Sequence, residues 1–207
     1  MALATYSDLQ ATVASVLDRT DLTAIIPDWV TLAEANLARD VRHWRGISRA
    51  TTAFDTPYTA LPTDWLATIR VHLSNAGQGY RALALMGTDE MERRRAQVAD
   101  TAGVPAFYAH LGDEIEVWPT PTGSYTGELT YYAKPAALAS ASVNWLLTHA
   151  PDAYLYGTLL HSAPYLRDDP RLAVWAGLYG EAVGKLNAES AAAEHSGTAL
   201  RLRPANR

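Results

Sequence analysis

The residue types able to do chemistry crowd into "HAPDAYLYGTLLHSAPYLRDDPRLAVW", residues 149–175, which holds His149, His161, Asp152, Asp168 and Asp169. Imidazole and carboxylate together can bind a metal or move a proton, but both tasks set demands on spacing. A helix grips zinc with two histidines at i and i+4. His149 instead falls ahead of a helix that should open at Pro151, and His161 falls about three turns into it, so the two point in unrelated directions. Asp152 sits in a first helical turn, where negative charge is favoured, and Asp169 precedes Pro170 in a capping position. The stretch therefore reads as a joint between helices. Asp113, Glu114 and Glu116 form a second carboxylate cluster, but they lie in a hairpin and are expected to serve its turn and its solvated faces rather than acid/base work.

Other chemistry finds no support. His43, His72, His110 and His195 are each far along the chain from a partner. No phosphate-binding glycine loop, nucleophile elbow or zinc-protease motif occurs, and "GQG" at 77–79 lies between strands rather than at a helix start. Cysteine is absent, which removes thiol nucleophiles, thiolate metal sites and disulfides. The sequence alone thus assigns no catalytic, metal or cofactor-binding residue.

The elements fall into three blocks. The first is helical: Leu9, Val13, Val16 and Leu17 make an apolar stripe behind Ser7, and Trp29, Leu32, Ala33, Leu37, Val41 and Trp44 make a second one opening near Pro27. From Gly46 to Pro135 the apolar period drops to two, as in Ile69, Val71 and Leu73 alternating with Arg70 and His72. Gly112-Asp113 suits a tight hairpin turn, and a short helix starts at Thr88 and ends in Arg93, Arg94 and Arg95 on a solvated face. The third block is helical again. One helix near Pro151 should present Leu155, Leu159, Ala163 and Leu166, and another near Pro170 should present Leu172, Trp175, Tyr179, Ala182 and Leu186.

The predicted fold class is α+β: a helical bundle of N- and C-terminal helices (1–45 and 136–195) with an inserted small antiparallel β module (46–135, including one short helix) and a flexible C-terminal arm (196–207). The bundle core is expected at Trp29, Leu37, Trp44, Leu159, Trp175 and Leu186.

Composition bounds the function. A formal charge of −5 offers no overall attraction to nucleic acid. The 6 Trp and 11 Tyr against 2 Phe favour aromatics with a polar handle, suited to interfaces. "MALATYSDLQ" lacks a basic start before an apolar run, and no stretch of about 18 apolar residues occurs, so neither a secretion signal nor a membrane span is expected.

The ordered series "TYSDLQATVASVLDRTDLTAIIPDWVTLAEANLARDVR", "LPTDW", "GELTYYAKPAAL" and "NWLLTHAPDAYLYGTLLHSAPYLRDDPRLAVW" resembles the head-to-tail adaptor proteins of tailed bacteriophages. The resemblance implies a ring, commonly a dodecamer, bound beneath the portal protein in the virion neck and offering a platform to the next neck or tail protein. It implies assembly in the host cytoplasm, DNA passing through the lumen without specific binding, and neither enzymatic activity nor a cofactor. It also implies that the C-terminal segment docks on the portal, which here falls on Leu200, Arg201, Leu202 and Arg203. Another neck or tail protein, such as a stopper or tail-completion factor, is the first alternative. An enzyme built from scattered Asp, His and Tyr is the second.

Overall fold

The computed structural model describes residues 3–75, 79–97, 102–166 and 169–195, leaving aside the side chains of 75, 79, 194 and 195. In chain order the helices are α1 (Tyr6–Leu17), α2 (Ile26–Asp40), α3 (Thr88–Gln97), α4 (Leu138–Ala141), α5 (Trp145–His149), α6 (Pro151–Leu160) and α7 (Arg171–His195). The strands are β1 (Ile47–Phe54), β2 (Tyr58–Ala60), β3 (Trp65–Asn75), β4 (Gly79–Ala82), β5 (Ala84–Leu85), β6 (Phe107–Leu111), β7 (Glu114–Trp118) and β8 (Tyr125–Ala133). The chain divides into two compact units, residues 1–46 with 135–207 and residues 47–134.

The first unit is helical. Thr5, not Ser7, caps α1: its hydroxyl accepts the Asp8 N–H at 3.2 Å while the Asp8 carboxylate accepts the Thr5 N–H at 3.0 Å, which satisfies two of the donors a helix start leaves open. Leu9 and Val13 of α1 join Trp29 and Leu37 of α2, Tyr154 and Leu159 of α6, and Trp175 and Leu186 of α7 in one buried cluster.

Trp44 is not part of that core. It is 41% exposed, because α2 ends at Asp40, Val41 turns extended (φ −97°, ψ 126°), and Trp44 starts a separate 3-10 turn, Trp44–Gly46. Leu32 is 49% exposed for a different reason. The buried arc of α2 is Ile26, Trp29, Val30, Ala33 and Leu37, and Leu32 lies beyond its edge. Ala163 and Leu166 also leave the helical period. Pro164 has no N–H to continue α6, so the chain tightens into a 3-10 turn, Ala163–Tyr165.

The second unit corrects the picture of a helical bundle carrying a small antiparallel module. It contains two four-stranded sheets, ordered β1-β8-β3-β4 and β2-β7-β6-β5, and the second is mixed because β5 pairs parallel with β6. A parallel pair needs a crossover, and α3 lies in the stretch between β5 and β6 that makes it. Phe54, Val71, Leu73, Tyr108, Ile115, Val117, Leu129 and Tyr131, drawn from both sheets, form a buried cluster of the unit's own. The fold is α+β, with each unit built on its own apolar core.

Ile69 breaks the expected alternation. Thr68 pairs with Tyr131 and Arg70 with Thr130, so Ile69 is an extra residue without a partner, a β-bulge, and it is turned out to 41% exposure while Val71 and Leu73 are buried. Gly112 takes φ 60° between β6 and β7, the left-handed conformation that their tight turn requires. Gly127 is required by close approach, since a Cβ there would collide with the Phe54 ring.

Candidate functional site

The carboxylates of the 149–175 stretch are occupied locally. Asp152 Oδ1 accepts the Ala153 N–H at 3.0 Å at the start of α6. Asp169 accepts the Arg171 backbone N–H at 2.9 Å and faces its guanidinium at 2.7 Å, which holds the Asp169 carboxyl below its usual range. Asp168 lies outside the described residues. His161 caps the end of α6. Asn36 Oδ1 accepts from the Arg39 guanidinium, so its Nδ2 donates to His161 Nε2 at 3.0 Å.

The β-unit charges are not all solvated as their spacing predicts. Glu116 is buried in β7 and forms an ion pair with Arg95 of α3, with Tyr58 donating to its Oε1 at 3.4 Å. The hairpin alternation predicts only that Glu116 leaves one face of β7; it does not reveal that α3 and Tyr58 cover that face. His110 of β6 lies between Trp65 and Tyr108, with ring centroids at 5.1 and 5.5 Å, and its Nδ1 is buried without a partner. None of these groups forms a nucleophile–base pair.

What the helical unit does bring together is His43, His149 and Glu189, whose ligand atoms all lie within 4.8 Å of one another. Spacing gives no hint of this, because the three come from the segment after α2, the end of α5 and the C-terminal half of α7. Contacts from α7 fix the first of them. Asn187 accepts the Arg42 N–H at 2.8 Å and donates to the Asp40 carbonyl at 2.9 Å, and the Ser190 hydroxyl accepts the Trp44 N–H at 3.0 Å. These bonds tie the backbone of residues 40–44 to α7, and Glu189, between Asn187 and Ser190, is carried to His43.

The His43 ring is fully buried, stacked on Trp145 with centroids 5.4 Å apart and planes at 22°. Its Nδ1 accepts the Arg45 N–H at 3.2 Å, and its Nε2 faces Glu189 Oε1 at 3.7 Å without a hydrogen bond. His149 Nε2 lies 2.9 Å from Glu189 Oε2. Burial pulls the His43 pKa down, and the hydrogen bond from His149 holds the Glu189 carboxyl below its usual range.

A second feature is apolar. Ile25, Trp29, Leu32, Leu160, Pro164 and Tyr165 line a groove of about 460 Å³ with Asp28 and His161 at its polar edge. Leu32 and Tyr165 are 49% and 44% exposed, so the groove opens to solvent. Of the remaining expected site residues, Trp29, Leu37, Leu159, Trp175 and Leu186 are buried together, whereas Leu200, Arg201, Leu202 and Arg203 lie outside the described residues.

A model of the SU10 adaptor protein family matches residues 4–203, nearly the whole chain. The chain belongs to that family. No curated relative matches it. Membership makes this a phage adaptor protein, and an adaptor works through contact with other phage head and tail proteins. Among the described residues, no helix is long and apolar enough to cross a membrane.

Proposed function

We propose that the protein is a structural head-to-tail adaptor of a tailed phage, forming a ring, of twelve copies, beneath the portal and joining the DNA-filled head to the next neck or tail component. The family match over residues 4–203 carries this reading. Two properties support it. Copies in a ring meet through heterologous contacts, two different patches per subunit, and the groove at Leu32 and Tyr165 is one apolar patch available for such a contact. The formal charge of −5 suits a lumen through which DNA slides, since every cation held against phosphate would oppose movement.

In this reading residues 1–45 and 136–195 are the helical body, 46–135 the β insertion, and 196–207 an arm that docks on the portal through Leu200, Arg201, Leu202 and Arg203. The ring sits in the virion neck after assembly in the host cytoplasm, and it needs neither catalysis nor a cofactor. Assembly on the portal template avoids much of the entropy lost when free subunits associate. The ring is therefore expected on the portal even where the purified protein alone is monomeric. Averaged electron-microscopy images of a mixture of the two test this. A ring with twelvefold symmetry on the portal is the expected result, and portal particles without added density overturn the assignment.

A further inference from the structure

We propose that His43, His149 and Glu189 form a binding site for a divalent transition metal of the zinc class. The inference does not depend on the adaptor reading.

The donor set is the first argument. Two imidazoles and one carboxylate are ligands that zinc, cobalt and nickel accept, whereas calcium and magnesium prefer oxygen throughout. Geometry is the second. A tetrahedral metal with bonds of about 2.0–2.2 Å holds its ligand atoms about 3.3–3.6 Å apart. The pairs here bracket that range, with His149 Nε2 at 2.9 Å from Glu189 Oε2 and His43 Nε2 at 3.7 Å from Glu189 Oε1. All three ligand atoms lie within 4.8 Å of one another, so only short side-chain movements separate this arrangement from a closed site.

The third argument is His43 itself. Its side chain is 0% exposed, yet Nε2 has no hydrogen-bond partner, and a buried polar atom left bare is costly unless something completes it. The atom is directed at the one carboxylate that also reaches His149. His43 is fixed by its stack on Trp145, while His149 and Glu189 are 28% and 46% exposed and free to adjust. One rigid ligand and two adjustable ones allow a cation to pull the set together. Three protein ligands leave a fourth position for water.

Ligation has a cost that sets its strength. A ring bound through Nε2 carries its proton on Nδ1, which now accepts the Arg45 N–H at 3.2 Å, so that bond is given up. Tight zinc sites instead support the second nitrogen with an acceptor, and loss of such support lowers affinity by about 10- to 100-fold. The site is therefore a moderate binder. Its occupation ties the segment after α2, the end of α5 and α7 together within the helical unit.

The test uses the full-length protein stripped with chelator and titrated with cobalt(II). The expected result is one equivalent bound with the intense visible absorption of a tetrahedral site, displaced by zinc, and a zinc-dependent rise in melting temperature that magnesium does not produce. His149→Gln and Glu189→Gln alter partly exposed side chains and leave the metal-free protein folded. Each should weaken cobalt binding by at least about 10-fold. His195→Gln should leave it unchanged. Weak octahedral absorption, binding that survives both His149→Gln and Glu189→Gln, or binding abolished by His195→Gln alone would each overturn the proposal.

Discussion

The Arg95 guanidinium is paired with the Glu116 carboxylate, which is only 5% exposed, so α3 is pinned to the β2-β7-β6-β5 sheet by a charge as well as by Met91 packed against Ala109 and Trp118. Removing one partner and removing both have unequal consequences. Arg95→Ala strands a buried anion and should destabilise the protein by about 3 kcal/mol, whereas replacing both residues by apolar ones should cost much less. A double-mutant cycle in urea checks this. A near-zero coupling energy would mean that water already screens the pair.

The two tryptophans that the apolar period treats alike should separate clearly on truncation. Trp175, 6% exposed in the helical core, is expected to cost about 3–5 kcal/mol as Trp175→Ala. Trp44, 41% exposed with the Arg45 guanidinium 4.6 Å above its ring, should cost about 1 kcal/mol as Trp44→Ala. Denaturant unfolding followed by circular dichroism distinguishes the two, and equal losses would contradict a helical core that holds Trp175 and leaves Trp44 outside.

Such contrasts mark the boundary of what the sequence discloses. Trp29 and Leu37 are legible because a helix repeats every 3.6 residues and both lie on the buried arc of α2, the helix that packs against α6. Trp44 follows the same count but belongs to a chain that has already left the helix, and the count carries no signal of Val41 turning extended. Alternation likewise places Val71 and Leu73 inside but fails at Ile69, where one inserted residue reverses the face. The parallel β5–β6 pair escapes notice because β5 is two residues long and owes its direction to a crossover. The site is the least legible part. His43, His149 and Glu189 meet only because Asn187 and Ser190 bind the backbone of residues 40–44, and no local spacing encodes contacts over such separations.

Acid should destabilise the β unit through His110. Burial lowers its pKa in the folded state, while the unfolded chain titrates near the ordinary value of about 6.5. Below that value the unfolded state binds the proton more readily, so stability is full at neutral pH, falls as pH drops through about 6.5, and levels off below the folded pKa. The slope from this one group cannot exceed about 1.4 kcal/mol per pH unit. His161, also lowered by burial and accepting from Asn36, acts in the same direction in the helical unit. Urea melts between about pH 7.5 and 5 should show the decline, and His110→Gln should flatten it. An unchanged slope in that variant would exclude His110 as its source.

The last expectation concerns residues 196–207, "SGTALRLRPANR", which contain no acidic residue in a chain of formal charge −5 and alternate Leu200 and Leu202 with Arg201 and Arg203. Such an arm suits addition to a sheet edge, with the leucines entering apolar pockets and the arginines meeting carboxylates. Ordering it costs about 1–2 kcal/mol per residue of backbone freedom, so a single arm binds weakly. Many arms on one ring act together, because each binding event raises the local concentration of the next. Deleting 196–207 should accordingly leave the melting temperature of the isolated protein nearly unchanged and abolish co-sedimentation with portal. The double variant Leu200→Ser with Leu202→Ser should weaken co-sedimentation with the arginines intact, which separates apolar docking from charge. Full binding by the truncated protein would remove the arm as the anchor, and binding that follows added DNA and falls steeply with salt would assign the arginines to phosphate instead.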